Sequence, residues 1–121
     1  MQGPTILIAN SDPNNATNLS EVLRQHARSV LVVGSPEELL AAVPKHRATT
    51  VIADLETVPL SEIERLHKTF RQLSIICTHR VPDEQMWADS LAAGAIDCCH
   101  NRDLNGIARA ATGRRYKVQA A

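Results

Sequence analysis

Aromatic side chains are scarce: Phe70, Trp87 and Tyr116 are the only three in 121 residues. A core with so few rings must be packed from Leu, Ile, Val and Ala, and apolar residues make up 44% of the chain. An excess of one charge is also missing. Thirteen basic and thirteen acidic residues cancel, which removes the basic balance that accompanies most nucleic-acid binding, so no direct nucleic-acid partner is expected. The cations near the end, Arg109, Arg114, Arg115 and Lys117, are read as complements to the dipole of a last helix. No run approaches the roughly twenty apolar residues of a membrane span, and no charged start leads into an apolar stretch. A soluble protein without a membrane partner is expected. The three cysteines, Cys77, Cys98 and Cys99, are odd in number and two are adjacent. A secreted disulfide framework is excluded and a cytoplasmic location expected. The five glycines form no G-x-G-x-x-G or P-loop, and no Ser/His/Asp constellation is suggested, so an ordinary enzyme is not expected.

What is present is a regular alternation of strand and helix signals. Ile6-Leu7-Ile8 reads as a short strand buried on both faces. Asp12 then supplies an N-cap and Pro13 the first helical position, with Ala16, Leu19, Val22 and Leu23 at helical spacing up to about His26. Ser29 to Val33 is a second strand, β-branched and short. Ser35-Pro36-Glu37-Glu38 opens a helix whose apolar face, Leu39, Leu40 and Val43, is expected to end before Pro44. The third strand runs from Thr49 to Ala53 and closes at Asp54. Ser61 to Glu64 reads as another capping box, opening a helix that carries Ile63, Leu66 and Phe70. Leu73 to Cys77 is the fourth strand, ending in Thr78-His79-Arg80. Pro82-Asp83-Glu84 opens a helix with Met86, Trp87 and Leu91 turned inward, and Gly94 ends it. Ala95 to Cys99 is the fifth strand. Asp103 caps a last helix carrying Leu104, Ile107, Ala108 and Ala111 and ending at Gly113.

Five strand–helix units without a hairpin signal predict an α/β fold: a doubly wound, flavodoxin-like parallel sheet of order 2-1-3-4-5. The chain has the size of one domain. It is expected over residues 1–113, with 114–121 a tail or the start of a linker. In such a sheet ligands bind outside the carboxyl ends of strands 1 and 3, which here carry Asn10-Ser11-Asp12 and Asp54.

At these residues the chain resembles the receiver domain of two-component response regulators, over nearly all of residues 4–113. The segment Ile6-Leu7-Ile8-Ala9-Asn10-Ser11-Asp12-Pro13 matches the family's first strand and acidic turn. Val51-Ile52-Ala53-Asp54-Leu55 matches its phosphoacceptor segment, Thr78 its switch hydroxyl, and Gly94-Ala95-Ile96-Asp97 the approach to its fifth strand. The resemblance implies that Asp54 occupies the phosphoacceptor position. It places Asn10 and Ser11 at the acidic pair, Cys98 at the switch aromatic, Asn101 at the lysine, and Arg102 where proline usually follows. Pro59 stands one position later than the family's usual proline.

These departures remove physical components of phosphoryl transfer. Magnesium prefers charged oxygens in near-octahedral geometry; Asn10 and Ser11 are neutral, and Asp12, as an N-cap, directs its carboxylate to backbone N–H groups. Asn101 can donate hydrogen bonds but carries no charge to stabilise phosphoryl oxygens; Arg80, Arg102, His79 and His100 are the nearby substitutes. Cys98 has no ring to rotate against Thr78. The resulting expectation is an atypical receiver in two-component phosphorelay signalling, a pseudo-receiver acting as a phosphorylation-independent protein-interaction module. Its partner would be a histidine kinase, an output domain or another signalling protein, with a homodimer formed through the fourth helix, fifth strand and fifth helix. No cofactor is expected. The alternative is a receiver still phosphorylated on Asp54 from a phosphodonor, with Mg²⁺ weakly held at Asp54 and Asp12. A remoter alternative is a metal or thiol site among Cys77, His79, Cys98, Cys99 and His100, against which strand alternation sends neighbouring side chains to opposite faces.

Overall fold

The computed structural model describes residues 3–113. Arg114, Arg115, Tyr116, Lys117 and the proposed tail 114–121 lie outside the described residues. Five strands, β1 (Thr5–Ala9), β2 (Ser29–Val33), β3 (Thr50–Asp54), β4 (Ser74–His79) and β5 (Asp97–His100), alternate with five helices. The helices are α1 (Pro13–Leu23), α2 (Pro36–His46), α3 (Leu60–Thr69), α4 (Glu84–Ala93) and α5 (Leu104–Thr112). All strand pairings are parallel and the order is β2-β1-β3-β4-β5. This is the expected flavodoxin-like architecture.

Strand alternation divides the interior into two cores. Leu7, Val51, Ile75 and Cys77 pack with Leu39 and Val43 of α2, Ile63 and Leu66 of α3, and Ala93 of α4. Ile6, Ile8, Ile52 and Ile76 face the other way, against Leu19 and Leu23 of α1 and Ile107, Ala108 and Ala111 of α5. Both strand faces are covered, so the central strands read as continuous apolar runs. The order reverses between β1 and β3, whose carboxyl ends deliver Asn10 and Asp54 to the same rim of the sheet.

Several element limits differ from the sequence expectation, each for a local reason. α1 closes at Leu23, with tighter backbone bonds carrying the chain to His26. α2 continues through Pro44 to His46, the proline removing a single i→i−4 donor; it closes on Arg47 with φ 53°. α3 starts at Leu60, since the Pro59 carbonyl accepts from Glu62 and Ile63; Ser61 lies within the first turn and caps nothing. β4 extends two residues beyond Cys77 to include Thr78 and His79, and β5 starts at Asp97. Trp87 is not in the core: it is 49% exposed, while α4 buries Ser90 and Ala93. Ser90 satisfies its buried hydroxyl by donating to the Met86 carbonyl at 2.8 Å.

Candidate functional site

Asp54 ends β3 in register with Thr78 of β4, and its residue surface is 7% exposed. The Thr78 hydroxyl donates to one carboxylate oxygen at 2.9 Å and the Glu56 amide donates to the other at 3.2 Å. Desolvation raises the carboxyl pKa above its ordinary value and outweighs the lowering effect of these two bonds. The Asp54 carbonyl accepts from Thr57 and Val58, forming the turn that leads to α3. Asp54 and Thr78 are therefore brought together. Cys98, the residue expected at a switch-aromatic position, is not part of this group: it lies on the opposite sheet face, in the core with Cys77.

Beside Asp54 the rim is built from amides. Asn10, 6% exposed, accepts from the Asp12 amide at 2.9 Å and donates to the Asn15 side chain at 2.6 Å. Asn15 in turn donates to the Asn101 carbonyl at 2.8 Å. This chain ties the β1–α1 turn, α1 and the β5–α5 turn together. Ser11 faces another loop, its amide donating to Thr57 Oγ1 at 3.0 Å and its hydroxyl accepting from Thr57 at 3.1 Å. Asp12 caps α1 through the Asn14 amide at 3.0 Å, as expected. The four positions implied for a divalent cation thus supply one buried carboxylate already accepting two bonds, a committed amide, a hydroxyl and a helix cap. Such a set lacks the clustered negative oxygens that hold Mg²⁺, and it does not fit the ion.

Glu56 and Arg80 form an ion pair at 3.0 Å across the β3–α3 and β4–α4 turns. His79 and His100, in register at the ends of β4 and β5, are used alike. Each accepts at Nδ1 from the amide two residues on, Val81 and Arg102 respectively, at 3.0 Å. Among the described residues no three His, Cys, Asp or Glu side chains converge as metal ligands. Cys98 and Cys99 enter opposite cores, as alternation requires. All three cysteines are buried and none forms a disulfide, and burial with the neighbouring Cys98 pushes the Cys77 thiol up to about 12. Sequence reasoning missed Asn15 and the Glu56–Arg80 pair. The spacing Asn14-Asn15-x-x-Asn18 at the start of α1 was the available signal.

No protein-family model and no curated protein matches the chain. Among solved structures, it is similar to a chain of the CheX–CheY–BeF3–Mg²⁺ complex from Borrelia burgdorferi. The TM-score is 0.82 at 13% identity, covering 94% of this chain and 90% of that one. The receiver domain of Francisella response regulator 1452 gives 0.81 at 16% identity over 97% and 99% of the two chains. A response regulator from Thermotoga maritima gives 0.80 at 17% identity over 98% and 99%. The fold is the receiver fold of response regulators.

Proposed function

We propose that this receiver-fold module signals by non-covalent contact with another protein, without a phosphoryl group on Asp54. The observation that carries this reading is the state of Asp54: buried, with both oxygens accepting hydrogen bonds, and bordered by Asn10 instead of a second carboxylate. Without a clustered negative site for Mg²⁺, and with Asn101 in place of a cation, charge developing on a transferred phosphoryl group has no strong counter-charge. Glu56, next to the carboxylate, adds a like charge.

The contact surface we assign is the face formed by α4, β5 and α5. Among the described residues, two of the three exposed large apolar side chains are Val81, at 69% in the turn before α4, and Trp87, at 49% on α4. The Trp87 indole donates to Asp97 of β5 at 3.3 Å, which holds the ring across the α4–β5 boundary. A half-exposed, fixed indole is the kind of side chain that anchors interfaces. The partner would be a histidine kinase, an output domain, another signalling protein or a second copy. A cytoplasmic setting suits three cysteines that form no disulfide.

The test is incubation with Mg²⁺ and acetyl phosphate, followed by intact-mass measurement of wild type and Asp54→Asn. Unmodified protein is the expected result. An adduct of one phosphoryl group in high yield, lost in Asp54→Asn, would establish the second reading, a working phosphoacceptor. That reading draws on the pairing of Asp54 with Thr78 at adjoining strand ends.

A further inference from the structure

The contact reading makes no use of a cleft of about 610 Å³ beside the amide chain, between the start of α1 and the turns after β4 and β5. Asp54 is not among its lining residues. Its walls carry Arg80 and Arg102 from two different turns, with the His100 ring between them in sequence. The facing wall is α1, which presents Asn14 and Asn18, one helical turn apart. Asp12 is the one acidic lining residue, and it is engaged with the α1 amide of Asn14.

We propose that this cleft binds a phosphate monoester non-covalently, Arg102 and Arg80 taking the phosphate and the asparagine amides the organic part. Arg102 has no ion pair among the described residues, and its turn is shaped in advance by the bond from its amide to His100 Nδ1 at 3.0 Å. Arg80 has Glu56 alongside at 3.0 Å, which fixes the guanidinium while tempering its charge. Two planar guanidinium groups approaching from separate turns suit a tetrahedral, doubly charged group with three acceptor oxygens better than a planar carboxylate. Leu104 also lines the cleft, so the first turns of α1 and α5 both border it. Their dipoles favour an anion, moderated by the caps Asp12 and Asp103. The space is in the usual range for organic ligands and much larger than a bare phosphate requires, and the amides of Asn14, Asn18 and Asn101 supply both donors and acceptors for a sugar or base. Binding breaks no bond, so it is independent of chemistry at Asp54.

The experiment is a titration of ¹⁵N-labelled protein with AMP, with inorganic phosphate and citrate as competitors in class. Saturable amide shifts confined to the α1 start, the turn at Arg80 and residues 100–104 are expected with AMP, with a Kd of about 1 mM or tighter. Inorganic phosphate and citrate should bind at least about tenfold more weakly. Arg102→Ala and Arg80→Ala, both exposed and outside the cores, should each weaken AMP binding about tenfold while leaving the rest of the spectrum in place. Absence of saturable shifts, shifts spread over all surface cations, or AMP binding unaffected by Arg102→Ala would overturn the site. Equal affinity for inorganic phosphate or citrate would overturn the monoester assignment. AMP is not a phosphodonor, so an unchanged intact mass in the same sample separates this outcome from the acetyl phosphate test.

Discussion

At the scale of single residues, the burial of Asp54 sets the sign of a pH dependence. A carboxyl whose pKa is higher folded than unfolded binds its proton more tightly in the native state. Its contribution to stability is full below the ordinary value of 3.8 and is lost as pH rises through the folded value. Asp54→Asn cannot ionise. Its amide oxygen can still accept from Thr78, while its nitrogen meets the Glu56 N–H, a fixed cost that does not titrate. Urea denaturation of both proteins between about pH 3 and about pH 7 is expected to show the stability difference moving in favour of Asp54→Asn as pH rises. A difference that stays constant, or moves the other way, would show that burial does not govern this carboxyl. The thiols illustrate the same physics with the opposite chemical consequence. Cys77, pushed up to about 12 in its core, is protonated at neutral pH and a poor nucleophile.

At the scale of elements, the signals that were legible were those carried by local backbone chemistry. Asp12, Ser35 and Asp103 each cap the helix assigned to them, because an N-cap needs only its own side chain and the next few amides. The α4 face was not legible, because its buried residues are Ser90 and Ala93, a serine whose polarity is hidden by a bond within the helix. A hydrophobic pattern therefore selects Trp87 and Leu91, one position away. Gly94 was read as the α4 cap, and its φ is 114°. The structure adds a second constraint: a Cβ at this position would overlap the imidazole of His67 on α3. Gly94→Ala combines a positive φ with overpacking and is expected to cost about 2–4 kcal/mol. Thermal or urea unfolding would measure it; a cost near zero would mean that α3 and α4 can separate freely at this point.

At the scale of the whole molecule, the sheet is the shared wall of two cores, and this much follows from apolar runs without knowing any contact. Ile75 faces α2, α3 and α4, whereas Ile52 faces α1 and α5. Ile75→Ala and Ile52→Ala are each expected to cost about 2–5 kcal/mol. Because both cores rest on the same strands, unfolding should stay a single transition, with far-UV circular dichroism and Trp87 fluorescence coincident. Separate midpoints in either variant would show the two faces to be independent. The rim was less legible because its partners are remote in sequence: Asn15 meets Asn101 across 86 positions, and no local pattern predicts that pairing. That bond also gives the amide chain a polarity. An amide accepts at one atom and donates at another, and here a backbone N–H, that of Asp12, fixes the first link while a backbone carbonyl, that of Asn101, fixes the last. None of the side chains between can be flipped alone. Asn10→Asp would set a carboxylate against the Asn15 oxygen, leaving two acceptors with no proton between them. A carboxylate at position 10 is therefore compatible with the rim only if Asn15 changes with it.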